Sequence, residues 1–311
     1  MSLHQHVTEF AGLPVVDLTE ESDLTGLPAP EGAAWRLRID DFVEEFEPFR
    51  KLFAAFLEAV DTTKITALVV ANWGACHAVN AREPLDLLVA AAGRFPALRA
   101  IFWGEYLQEE SEISWIEQCD ITPIFTSFPA LETVTVRGGS GLRLEPVTSK
   151  SLRELRFETG GLPGVVVRAV AASDLPALES LVLWLGVDEY GGDATIADLA
   201  PILSGERLPA LRHLGLQDAE IQDDVAAAIA GAPIVARLTS LDLSMGVLTD
   251  EGAEALLSGQ PLGHLTSLDL SHHYLTEPMT ARLAAALPGV ALDLGEPQEE
   301  DDDWRYVAVA E

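Results

Sequence analysis

Two adjacent histidines, His272 and His273, follow Asp269 within one short stretch, and Asp242 holds the matching place in the same word, LTSLDL, one unit earlier. Imidazole and carboxylate side chains in such proximity could bind a divalent metal. That reading meets an obstacle, because neighbouring side chains on a strand point to opposite faces and no third strong ligand stands nearby. The chain has no GxSxG elbow, no HExxH, no GxxxxGK[ST] and no metal-finger spacing. The glycine group 138–141 lacks the lysine and later elements of a phosphate loop and reads as a turn. Cys76 and Cys119 are too far apart for a CxxC motif and read as small buried hydrophobes in a reducing compartment. No catalytic residue, cofactor or metal is therefore expected. The alternative is a metal-dependent enzyme or accessory protein built on Asp242, Asp269, His272 and His273.

The elements that would position these residues come from a repeat. The word L-x-x-L-x-L starts at Ile65, Leu98, Leu131, Leu152, Leu178, Leu211, Leu238 and Leu265, at steps of 33, 33, 21, 26, 33, 27 and 27 residues. Near-copies of one phrase introduce four of them: FPALRAI, FPALETV, LPALESL and LPALRHL. The alternating apolar positions describe one face of a strand. Later units lengthen to LRHLGLQDAEI, LTSLDLSMGVL and LTSLDLSHHYL.

With these words the chain resembles the leucine-rich-repeat superfamily, and LDLSMGVLTDEGAEALLSG (241–259) is similar to its ribonuclease-inhibitor subtype. SWIEQCDITP, DEYGGDATIADLAP and RYVAV extend the likeness to an uncharacterised bacterial cytoplasmic family of such proteins. The resemblance implies an α/β solenoid, or horseshoe, with a parallel concave sheet and a mostly helical convex side. One departure is that the usual Asn or Cys after the third leucine is replaced by Ala219, Gly246 and His273. The turn there needs other hydrogen-bonding groups.

Helical returns are expected at 83–95, 115–128, 162–173, 194–204, 221–231, 249–259 and 276–287, with Thr249 as a cap. The stretch 137–151 holds glycines and a proline and should return without a helix. Residues 1–62 read as an N-terminal extension and cap, with a strand at Trp35, Leu37 and Ile39 and a helix after Pro48. Residues 63–295 form the solenoid. Residues 296–311 are an acidic linker and tail, whose WRYVAV could add a strand to its own sheet edge or, less favoured, to another chain's.

Strand register puts one residue per unit on the concave surface: Val69, Phe102, Thr135, Arg156, Val182, Gly215, Asp242, Asp269 and Asp293. Arg137, Trp184 and His213 flank that column. The extra residues of the 33-residue steps follow the strands and carry Trp73, Tyr106 and Tyr190, which either anchor a partner or fold down over the core. Of these, Trp73, Phe102, Tyr106, Arg137, Arg156, Trp184, Tyr190, His213, Asp242 and Asp269, with His272, make up the expected partner-binding set.

Composition narrows the partner. With 48% hydrophobic and 22% charged residues the chain can bury a core. Its net charge is −31, of which residues 296–311 contribute −6, leaving −25 on the rest. That sign opposes nucleic acid and anionic membrane and favours a protein with a basic patch. The opening MSLHQHVTEF is no export signal and no run of 18 apolar residues follows, so a cytoplasmic location is expected. Oligomeric state is not legible. The functional expectation is a non-enzymatic interaction module using the concave sheet and the strand-end loops.

Overall fold

Short words of alternating apolar residues favour strands too brief to be stable alone, and each strand finds its neighbour in the next unit along the chain. The computed structural model describes residues 3–39, 43–75, 78–302 and 304–311. The strands are β1 (Glu9–Phe10), β2 (Leu13–Leu18), β3 (Ala34–Leu37), β4 (Ala67–Ala71), β5 (Ala100–Glu105), β6 (Thr133–Arg137), β7 (Glu154–Glu158), β8 (Ser180–Gly186), β9 (His213–Ala219), β10 (Ser240–Asp242), β11 (Ser267–Asp269) and β12 (Ala291–Asp293). They form one open sheet in chain order, parallel except where β1 turns back on β2. This is the α/β leucine-rich-repeat solenoid the repeats imply.

The helices are α1 (Glu47–Ala59), α2 (Arg82–Ala90), α3 (Thr122–Ser127), α4 (Gly164–Ala172), α5 (Ile196–Ser204), α6 (Gln222–Ala230), α7 (Asp250–Ser258) and α8 (Glu277–Ala286). Their buried sides meet the inward row of Trp35, Leu68, Ile101, Val134, Leu155, Leu181, Leu214, Leu241 and Leu268 in a continuous core. Thr249 caps α7 through the N–H of Glu251. Acids in the first turn of one helix also fasten the next: Asp223 accepts from the Thr249 hydroxyl, and Asp250 accepts from that of Thr276.

Three expectations need correction. The return at 115–128 is helical only over α3, with a 3-10 turn at Ile113–Trp115 and irregular chain between. The sheet does not begin at Trp35 but two strands earlier, and it crosses residue 63 without a break. Finally, residues 304–311 add no strand to β12. They fold across the strand-end rim of their own chain, through Ala308 to Met245 and Val309 to Asp218.

Candidate functional site

The concave column is in register from end to end. Asp17, Arg36, Val69, Phe102, Thr135, Arg156, Val182, Gly215, Asp242, Asp269 and Asp293 pair successively. A second column beside it reads Val15, Ala34, Ala67, Ala100, Thr133, Glu154, Ser180, His213, Ser240, Ser267 and Ala291. The residue types in these columns divide the surface into two unlike halves.

In the N-terminal half the chain occupies its own concavity. Ala11 and Gly12, both at positive φ (51° and 73°), make the tight turn between β1 and β2 and send residues 3–10 back over the sheet. Three successive alanines, Ala34, Ala67 and Ala100, leave a trough beside Val69 and Phe102, and Phe10 fills it with Val7, Leu13 and Val15 packed alongside. The Phe10 and Phe102 rings lie 5.8 Å apart. Glu105, fully buried, anchors the segment: it pairs with Arg36 at 2.9 Å, with His6 Nδ1 at 2.9 Å, and accepts the N–H of Val7 at 2.9 Å. Burial alone would lower the His6 pKa, but its bonds to Glu105 and Glu110 and their charges outweigh that and raise it to about 9.

Next along the sheet stands a second buried carboxylate, Glu158. It takes Arg137 at 2.9 Å on one oxygen and Arg156 at 2.6 Å on the other. Burial would raise its pKa, and the two guanidinium groups reverse the shift and hold it low. Arg137 also stacks over Phe102, and Arg156 over Trp184.

The C-terminal half is open. His213, Ser240, Asp242, Ser267, Asp269 and Asp293 line a hollow of about 600 Å³. Asp242 accepts from the Ser244 N–H and hydroxyl and from the Gln217 amide, whose oxygen in turn receives the Trp184 indole N–H. Burial pushes the Asp242 carboxyl up; Ser244 opposes this, and the charge of Asp269 adds to it. His213, hydrogen-bonded to Ser240 at 2.7 Å, is held below its ordinary pKa by burial.

The expected partner-binding set separates accordingly. His213, Asp242 and Asp269 lie together in the open hollow, and Arg156 is partly accessible outside it, in a separate recess with Phe10 and Glu154. Trp73, Phe102, Tyr106, Arg137 and Trp184 are each no more than 2% exposed, which corrects their expected role as partner contacts. Their polar atoms are already used: Trp73 donates its indole N–H to Val79, and the Tyr106 hydroxyl donates to Gly74. The Trp73 ring packs on Trp103 at 5.3 Å and on Tyr106 at 5.1 Å. Of the two uses open to the aromatic insertions, these two took the one that covers the core. Tyr190 stays half-buried at the rim, where its bond to Glu311 drives its pKa up to about 12. His272 points toward Gly246.

The metal reading loses its geometry. His273 is buried, with Nε2 against the Leu294 carbonyl and Nδ1 accepting from Leu275, so neither nitrogen is available. Among the described residues no three His, Cys, Asp or Glu side chains come together as metal ligands. Cys119 is half-buried and burial pushes its thiol up to about 12, far from a reactive thiolate. Cys76 lies outside the described residues. Sequence reasoning missed His6, Glu105 and Phe10, and the hint it overlooked is the alternation in LPVVDL (13–18), a strand one unit before the first recognised one.

A family model described as leucine-rich repeat matches residues 238–257. A crystal structure of a Bacteroides fragilis protein, a structural-genomics target, is similar at 32% identity and a TM-score of 0.76, over 82% of this chain and 74% of that one. The chain belongs to the leucine-rich-repeat superfamily. No functionally curated protein matches it in sequence. As a leucine-rich-repeat protein it solves the missing-asparagine turn three ways. His273 bonds backbone from the turn position itself. At Ala219 the amide comes from Gln222, three residues on, which donates to the Leu216 carbonyl. At Gly246 the backbone closes in, with the Val247 N–H on the Ala219 carbonyl.

Proposed function

We propose that this protein is a non-enzymatic interaction module that binds a protein partner through the open C-terminal half of its concave sheet. Membership of the leucine-rich-repeat superfamily supports the general class. The observation that carries the finer reading is the registered ladder Asp242–Asp269–Asp293, with the N-terminal half of the same surface already filled by residues 3–15. Strands about 4.8 Å apart bring these carboxylates close enough to repel, and a cationic partner relieves that repulsion. A partner presenting Lys or Arg side chains on a convex or extended surface fits the hollow.

A cytoplasmic location belongs to the same proposal; among the described residues no helix is long and apolar enough to cross a membrane. The test is co-purification from the native cell with the wild-type chain, with Asp242→Lys/Asp269→Lys, and with the convex control Glu58→Lys. The reading expects a stoichiometric protein that the double reversal loses and the control keeps. A partner retained by all three chains would place the binding surface elsewhere.

A further inference from the structure

Residues 304–311 run along the rim where the strands end, from the β11 end of the solenoid back toward β5. The Tyr274 hydroxyl donates to the Tyr306 carbonyl at 3.1 Å and accepts the Tyr306 N–H at 2.8 Å. Ala308 donates its N–H to the Met245 carbonyl at 2.7 Å, and Val309 donates to Asp218 Oδ1 at 2.9 Å. The Ser114 hydroxyl donates to the Ala310 carbonyl. These partners belong to four different coils, so the segment is read by a row of groups that the stacking of the repeats creates.

What it buries is small. Val307 is covered, at 8% exposure, while Trp304 and Tyr306 remain 68% and 59% exposed. Two rings that could have supplied large apolar area face solvent, so the contact works through the main chain and two small branched side chains, Val307 and the half-buried Val309. Recognition of that kind tolerates different sequences. Residues 304–311 carry no net side-chain charge, Arg305 balancing Glu311, so no net charge attraction to the acidic body holds the segment down.

The rim is shaped for an extended chain. Asp218 is buried in a left-handed conformation (φ 57°) at the end of β9, with one oxygen on the Val309 N–H and the other, Oδ2, without a hydrogen-bond partner among the described residues. A carboxylate so placed is costly unless an N–H meets it. Gly160 supplies the clearance: a Cβ there would stand 2.1 Å from the Ala310 carbonyl oxygen and 2.2 Å from the Ser114 hydroxyl.

We propose that this rim is a peptide-binding groove whose resident occupant is residues 304–311, held reversibly, and that an extended segment of the same kind supplied in trans takes its place. The ligand class is an extended peptide with a small branched apolar residue at the Val307 position. The inference rests on the rim contacts and not on the concave hollow, so either can fail alone.

Hydrogen–deuterium exchange on the full chain tests it, with a synthetic acetylated peptide of sequence WRYVAVAE as the probe. A tether as short as 296–303 gives an effective concentration on the order of millimolar, so the peptide is added at several times ~1 mM. Amides 306–309 should exchange at least about tenfold faster than those of β8 and β9, because a reversibly docked segment opens without global unfolding. The peptide should accelerate them further, and the same peptide with Asp in place of its valine at the 307 position should not. Gly160→Ala should release the segment while β8 and β9 keep their protection. Exchange of 306–309 in step with β8 and β9, unchanged by the peptide, would show a permanent part of the fold and overturn the proposal. If Gly160→Ala disturbs the strands as well, the peptide arm on the unaltered chain decides alone.

Discussion

The two halves of the concave sheet share one backbone and one register, yet one half is interior and the other is surface. Along the first column Val69 and Phe102 give way to Asp242, Asp269 and Asp293; along the second, Ala34, Ala67 and Ala100 give way to His213, Ser240 and Ser267. Small and apolar residues in register make a trough that the chain's own start fills, and acids with hydroxyls make a face that stays wet. The difference teaches that the repeat sets position while the variable letters decide whether a position is core or contact surface. It also limits the partner, because β4 and β5 can be reached only by displacing residues 3–15.

The comparison can be broken most forcefully at the anchor of the closed half. Glu105→Ala leaves buried Arg36 with only its longer carboxylate contact, to Asp17 at 3.6 Å, and loss of one member of a buried pair costs about 3–5 kcal/mol, which urea unfolding would register. Phe10→Ala empties the trough over Phe102 and should cost about 3 kcal/mol, a typical figure for removing a packed ring. If either change leaves stability untouched, residues 3–15 are not integral to that half.

Proton linkage gives a smaller and more selective effect. The folded pKa of His6, about 9, lies above its unfolded value, so the protonated His6–Glu105 contact contributes fully below about 6.5 and is lost as pH rises through about 9. Stability of the wild-type chain relative to His6→Gln should therefore shrink between those limits. A difference that stays constant with pH would contradict the assigned pairing.

The open half should also lose stability as pH rises, but in the lower, carboxylate window, and there removing the charge should be a gain. Burial raises the folded pKa of Asp242 above its unfolded value, so its ionised form weakens the fold at neutral pH, and the effect vanishes as pH falls below the unfolded carboxylate range. Asp242→Asn should gain about 0.5 kcal/mol at pH 7, in the range of a relieved like-charge neighbour, and nothing near pH 3. A clear loss of stability at pH 7 would mean that the carboxylate holds the fold and is not a surface kept for a ligand.

Much of this architecture was legible. The leucine words located β4 to β11 apart from their ends, the register placed Asp242, Asp269 and Asp293 in one row, and the stretch 137–151 indeed carries no helix. The path of residues 3–10 was not legible, because its contacts to Phe102 and Glu105 span nearly a hundred residues and leave no local pattern. Trp73 and Tyr106 were ambiguous for another reason: an aromatic ring after a strand gains from burial under a neighbouring loop as it does under a partner. The tail's route depends on Asp218 and Gly160, two residues whose roles appear only once the coils are stacked.

The central claim is that the chain keeps one half of its concave sheet for itself and offers the other. The most direct measurement is the hydrogen-exchange footprint of a co-purified partner on the full chain. The account expects slowed exchange at 240–244 and 267–271, with residues 3–15 and β4 to β6 unchanged. A footprint on β4 to β6 with release of residues 3–15, or one confined to the convex helices, would contradict it.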